Sequence, residues 1–435
     1  MKKFLFILFA IALSLPIYAQ ESLTSDNDVS DYQFDQSEEI VSESEESADL
    51  QPESENQSNK PVSFARQKVE FGIDAGAGID NDLLRIGDIF KKEIVIDLNE
   101  LYGDVSNTGL NINVDVGAGL FLNIKNIEIV EGLWDFGFSL GVNGRVNLNV
   151  PKSIFTFISK GNIDQRYFKG SINASGGVFA NVGLVGSAKF GKLRIGLKPA
   201  MYAPLLFIPR SGINYTLDTE ESIFFSSSGD IRIYSPFVED GELKFGVDLS
   251  VNGEYALFPF LDVGGSLSSI PFIPAALENG MMYSLKMDEP FTVTTDDLLN
   301  GNVDGLPDFD IDEGKPFTKK VNVFRPLRFD IYARYKPFNS EFLVIRPNIG
   351  FSVDINNEEG YFNAGVEAQL DLFNEMLMIN LGTHYTDAVW MHNLGFALNF
   401  RAFELDLSGA LRSESFAGSF QAQGFNLNLG LRFGW

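Results

Sequence analysis

The chain has no cysteine and only two histidines, His384 and His392, among its 435 residues. The first absence removes disulfides, thiolate metal sites and cysteine nucleophiles. The second confines imidazole chemistry to one segment, His384-Tyr385-Thr386-Asp387-Ala388-Val389-Trp390-Met391-His392. No run of about 18 apolar residues occurs, so the chain carries no membrane-spanning helix signal. Basic residues are also scarce: 33 Lys and Arg stand against 59 Asp and Glu, a net charge of −26. Such an acidic chain is a poor nucleic-acid ligand.

What is present is an apolar residue at every second place. Apolar residues make up 45% of the chain, 40 are Phe, and the mean hydropathy is +0.01, as alternation produces. The last strand-like segment, Gly424-Phe425-Asn426-Leu427-Asn428-Leu429-Gly430-Leu431-Arg432-Phe433-Gly434-Trp435, has one oily face and ends on an aromatic residue. Its length suits the roughly 9 to 11 residues with which a tilted strand crosses a bilayer. We read it as the closing strand of an outer-membrane β-barrel and the expected contact with the barrel-assembly machinery. A soluble secreted β-protein is the alternative.

The same period of two recurs in Val69–Ala77, Leu110–Leu122, Phe136–Val150, Leu243–Val251, Leu327–Tyr335, Phe362–Leu372, Leu377–Leu381, Leu394–Phe400 and Phe403–Leu411. Short connections near 189–192, 337–340, 373–375 and 401–402 alternate with long ones at 80–109, 151–170, 204–222 and 288–326. Short periplasmic turns and long outer loops are the barrel pattern. The fold class expected is all-β: an antiparallel transmembrane barrel of fourteen to sixteen strands, even in number so that both ends share a side. Residues 256–295, broken by Pro259, Pro271, Pro274 and Pro290, leave the count open.

Three regions follow. Residues 1–19 have Lys2 and Lys3 ahead of an apolar run and Ala19 before Gln20, the pattern of a secretory signal peptide. Residues 20–65 are rich in Ser, Glu, Asp and Asn, with thirteen acids and one lysine over 21–60, and are expected to be a disordered periplasmic spacer. Residues 66–435 form the barrel, whose first partner is the lipid bilayer.

With the apolar phase outward, Arg328, Asp330, Arg334, Arg346, Glu367, Asp371 and Arg432 face the lumen. Charges of both signs on neighbouring strands make a paired, wet wall, or else an ion-selecting constriction. Three oily segments lie where loops are expected: Leu83–Ile96, Ala203–Pro209 with Leu205, Leu206, Phe207 and Ile208, and Ile270–Leu277 with Phe272 and Ile273. They are the candidate contacts for a small hydrophobic ligand at the mouth, or else interfacial packing. Asp308, Asp310 and Asp312 alternate as hard-cation ligands do and are the candidate Ca²⁺ site, with a solvated acidic loop as the alternative; no other cofactor is expected. His384 falls on the inward phase and His392 on the outward one, so they do not converge, and no catalytic site is expected.

The signal-like leader, the strand-rich span 61–435, the apolar mouth segments and the terminal aromatic together resemble the FadL-like long-chain fatty-acid transporter class. The stretch Asn147–Tyr202, with Val150-Pro151, Gly161-Asn162 and Phe190-Gly191-Lys192-Leu193-Arg194-Ile195-Gly196-Leu197-Lys198, also resembles an uncharacterised barrel family seen in spirochaetes and Bacteroidetes. The resemblance implies passive uptake of hydrophobic or amphipathic small molecules, captured at the outer mouth and passed inward through the barrel or its wall. That class carries a compact N-terminal hatch, for which the acidic segment 21–60 is a poor match. A general diffusion porin and a surface structural or adhesive barrel are the alternatives.

Overall fold

The computed structural model describes residues 68–81, 105, 109–129, 132–160, 167–218, 223–238, 241–284, 291–293, 314–338, 340, 342–373, 375–400, 402–421 and 423–435. The strands are β1 (Val69–Asn81), β2 (Leu110–Ile129), β3 (Gly132–Val150), β4 (Tyr167–Phe190), β5 (Leu193–Asp218), β6 (Ile223–Tyr234), β7 (Gly246–Phe258), β8 (Leu261–Ile273) and β9 (Ala275–Tyr283). They continue with β10 (Phe291–Val293), β11 (Lys315–Val323), β12 (Leu327–Tyr335), β13 (Leu343–Asp354), β14 (Glu359–Leu372), β15 (Leu377–Thr386), β16 (Val389–Phe400), β17 (Phe403–Ser413) and β18 (Gly424–Gly434). Two short helices, α1 (Lys152–Lys160) and α2 (Phe416–Phe420), cap outer connections.

The ladder closes on itself. β18 pairs antiparallel with β17 and with β1, from Glu70↔Gly434 to Asp80↔Gly424. At the seam the Trp435 N–H donates to the Val69 carbonyl at 3.0 Å and Val69 N–H returns the bond at 3.1 Å. Closure pairs both terminal strands of the ladder, as a sheet in lipid requires, while the outer strand β11 pairs with β9 alone among the described residues. The outward phase is apolar and exposed: Leu184 at 62%, Leu427 at 58% and Leu381 at 54% belong to one belt around the wall. An oily belt of that extent fits a bilayer and not water. The chain is a transmembrane β-barrel of outer-membrane type.

Three crossings are broken in the middle. β6 and β7 are two halves of one strand interrupted by 235–245; β8 and β9 are interrupted at Pro274; β11 and β12 at 324–326, which includes Pro326. Each outer half pairs with outer halves (β6 with β9, β9 with β11) and each inner half with inner halves (β7 with β8, β8 with β12). β5 runs past both levels, pairing β7 along 193–202 and β6 mostly along 212–218. With β10 only a short outer addition to β6, the barrel has fourteen crossings, the lower end of the expected range.

The expected parity holds: β4–β5, β7–β8, β12–β13, β14–β15 and β16–β17 are joined at the end that carries Val69 and Trp435. Aromatic side chains gather there, with Trp134 edge-on to Phe190 and Phe403 against Phe433, the interfacial girdle of a membrane barrel. Three loop expectations change: Ile270–Ile273 and Ala275–Leu277 are the end of β8 and the start of β9, parted only by Pro274. Residues 204–218 are strand, the outer half of β5, and 315–323 are strand β11. The cause lies in the ladder: register shifts at Ala174/Gly176, Val178/Phe179 and Phe207/Gly212 for β5, and at Thr318/Val321 for β11, break the alternation that would have revealed a strand.

Candidate functional site: a chamber crossed by an ion bridge

The outer half of the interior encloses a chamber of about 640 Å³. Its lining follows from the inward phase of the outer half-strands. Cross-strand amide pairs cover one side: Asn149 Nδ2 donates to Asn111 Oδ1 at 2.7 Å, and Asn147 Nδ2 to Asn113 Oδ1 at 2.6 Å. Phe179 and Phe207 form an apolar stretch of the same lining. Behind them Tyr202, Tyr234, Ala275, Leu277 and Val323 complete a buried cluster.

Tyr202 explains how the broken wall holds together. Its side chain, 1% exposed, fills the level at which the three crossings are interrupted. The phenol donates to the Val323 carbonyl at 3.0 Å and accepts from the Ala275 N–H at 3.4 Å, serving ladder groups at the ends of β11 and β9. Arg325 lies over the ring at 5.7 Å and forks onto Asp248 at 2.7 and 3.1 Å. Asn356 completes the repair at the β11–β12 break, accepting from the Phe324 N–H at 2.8 Å and donating to its carbonyl at 2.7 Å, so backbone that would be left bare in the wall is served by side chains.

A chain of charges crosses the interior. Arg412 of β17 binds Asp80 of β1 at 3.1 Å and also Asp115 of β2. Asp115 lies 3.6 Å from Arg145 of β3, Arg145 lies 3.5 Å from Asp387, and Asp387 accepts from Arg328 of β12 at 2.7 Å. Asp387 is the first residue of the two-residue turn joining β15 to β16. Both turn residues have positive φ, +50° at Asp387 and +67° at Ala388, the backbone of a tight hairpin with primed-turn twist. The hairpin tip leans inward over its neighbours: the Asp387 N–H donates to Asn363 Oδ1 of β14 at 3.0 Å, and Ser352 Oγ of β13 donates to its carboxylate at 2.6 Å.

Asp387 sits in a turn outside the membrane-spanning strands. Burial pushes its carboxyl up, but Arg328, Arg145 and the Ser352 hydroxyl outweigh that and hold it below the usual carboxylate range. Three arginines and three aspartates balance, so the bridge adds no net charge to the interior.

Toward the periplasmic end the inward side chains form further closed groups. Arg334 lies between Glu254 and Asp262, with Lys336 3.3 Å from Asp262. Arg194 pairs with Asp135, Lys125 with Glu70 at 2.6 Å, and Arg432 with Glu404 at 3.3 Å. Each of these cations is held by an acid.

Of the seven charges read as lumenal, all lie on the inward phase, but only Arg328, Asp330 and Glu367 line the chamber. Arg346, which donates to Gln369 at 2.7 Å, and Asp371, which accepts from Gln369 at 2.8 Å, lie outside that lining, as do Arg334 and Arg432. Of the six mouth residues, Phe207 alone lines the chamber. Leu206 and Ile208 belong to a second apolar cluster with Leu148 and Ala174, and Leu205 accepts at its carbonyl from Ser235. Phe272 and Ile273 are exposed on the wall. Asp308, Asp310 and Asp312 lie outside the described residues, as does Leu83–Ile96. Among the described residues no acid or histidine group has the geometry of a metal site.

His384 lines the chamber, while His392 stacks on Phe420 at 4.0 Å with its Nδ1 3.0 Å from Thr383 Oγ1, so the two rings are turned apart. Sequence reasoning passed over Asp387, Tyr202 and Phe179. The available signal was the opposite charge of Asp115, Arg145 and Arg412 on the inward phase of nearby strands.

No family model matches the sequence, and no curated protein does. Solved structures with a similar shape include the toluene transporter TodX of Pseudomonas putida, at 11% identity and a TM-score of 0.46, covering 84% of this chain and 89% of that one. The CymD monoaromatic hydrocarbon channel follows at 10% identity and 0.44, with 85% and 89% covered. A FadL homologue of Pseudomonas aeruginosa has 10% identity and 0.41, with 84% and 90% covered.

Proposed function

We propose that the barrel admits small amphipathic molecules by binding them in the chamber, the apolar part against Phe179 and Phe207 and the polar part among the amides. The observation that carries this reading is the pairing of an apolar lining with an amide-rich one in a single cavity of about 640 Å³, a volume suited to one small ligand. The bridge from Arg412 through Arg145 to Arg328 supports passage by occupation of a site over free diffusion, because it runs across the space an open pore would need.

Binding of straight-chain amphiphiles of increasing length to the protein in lipid nanodiscs tests this, with empty nanodiscs subtracted. Affinity is expected to rise with chain length. It is expected to fall about tenfold, roughly 1.4 kcal/mol, in Phe207→Ala, with barrel folding checked by heat-modifiable migration. Affinity that ignores both chain length and Phe207→Ala would overturn the reading.

A further inference from the structure

The polar surface of the chamber divides into two kinds. Every arginine in its lining is already held by a carboxylate: Arg145 by Asp115 and Asp387, Arg210 by Glu359, Arg325 by Asp248, Arg328 by Asp387, and Arg412 by Asp80 and Asp115. Apart from Arg412 Nε and the Asp330 carboxylate, the groups left over are neutral amides. Asn143 Oδ1, Asn348 Oδ1, Asn393 Oδ1, Asn428 Oδ1 and Asn426 Nδ2 are buried in the same lining without a hydrogen-bond partner. Asn426 is 2% exposed, and its other amide end is engaged by Asn428 at 2.7 Å.

These amides come from several sides, from β3 through β13 and β16 to β18, so they surround a guest. A carboxylate or phosphate entering here would have to displace a carboxylate already in place to gain an arginine, and would give up its water for amides alone. A cationic guest finds Asp115, Asp387 and Glu359 already held by arginines, with Asp330 the acid left to it. A hydroxyl group both donates and accepts, so it can satisfy an amide presented by either end.

We infer that the chamber selects amphipathic guests whose polar part is neutral and rich in hydroxyl groups, a sugar or polyol head, and disfavours carboxylate heads. This rests on the chamber being the amphiphile site proposed above.

The test compares hexyl β-D-glucoside, hexanoate and free glucose, each titrated into nanodisc-embedded protein at neutral pH. The glucoside is expected to bind at least tenfold more tightly than hexanoate. Asn143→Ala and Asn393→Ala, on different strands, are each expected to weaken the glucoside severalfold and hexanoate by a smaller factor, with folding confirmed by heat-modifiable migration. Hexanoate binding as tightly as the glucoside would overturn the selectivity while leaving the amphiphile site standing. Glucose binding as tightly as hexyl glucoside would support the head-group preference and overturn the amphiphile reading. No binding of any of the three would overturn both.

Discussion

Arg145 and Asp387 meet 3.5 Å apart although β3 and the β15–β16 hairpin stand nearly half the barrel's circumference from one another. An outer turn has been drawn in to touch the far wall. Arg328 and Ser352 hold the same carboxylate from the near wall, so Asp387 acts as the keystone of the crossing. Asp387→Asn keeps the shape and removes the charge. Removing one member of a buried pair costs about 3 to 5 kcal/mol, and the hairpin is expected to swing outward. The chain has no cysteine, so spin labels at Tyr167→Cys and Ala388→Cys report the distance without background. The distribution should lengthen or broaden in Asp387→Asn; an unchanged distribution counts against the keystone role.

The pH dependence of this crossing follows from the sign of the shift. The folded carboxyl of Asp387 titrates below its unfolded value of about 3.9, so its contribution is complete above that value and is lost as pH falls through the folded one. The same label pair should therefore give one distribution from pH 5 to 8 and change only in more acidic solution. A transition near neutrality would contradict the assignment.

Tyr202 makes a separate prediction. Tyr202→Phe keeps the ring and deletes the hydroxyl that serves Val323 and Ala275. Leaving such buried groups unpaired costs about 1 to 3 kcal/mol, read as a lowered urea midpoint for unfolding from liposomes. Cleavage by added protease within 235–245, where β6 gives way to β7, should also quicken. An unaltered midpoint and cleavage rate would show that the wall breaks are held by other groups.

Adjacent residues of β18 test the inside-outside assignment. Leu429 lies on the lipid belt and Asn428 in the chamber lining. Arginine on a lipid face near the midplane costs about 2 to 4 kcal/mol, so Leu429→Arg is expected to destabilise the barrel by that amount and Asn428→Arg by less than half of it. Equal costs would contradict the phase.

That phase was legible from the C-terminal strand alone, because Phe425 to Phe433 keeps strict alternation against both neighbours and nothing in its ladder shifts. The outer part of β5 was not legible. Bulges offset Ala203–Pro209 from the period of two, and an unphased oily run with two prolines reads as a loop. The strand count stayed open for a related reason. Pro274 and Pro326 interrupt single crossings, and what repairs them is Tyr202 and Asn356, side chains from elsewhere in the barrel. The chamber was half legible: the inward charges could be assigned by alternation, but their pairing across the lumen depends on a hairpin tip bending inward, and no local pattern encodes that.

Passage through this barrel by way of an occupied chamber, in place of an open pore, is tested most directly by liposome swelling with uncharged sugars. Wild-type protein is expected to give no swelling beyond that of empty liposomes in raffinose, because the bridge through Arg145, Asp387 and Arg328 stands across the lumen. Rapid swelling, with a rate that rises in proportion to the protein added and declines smoothly with sugar size, would contradict it.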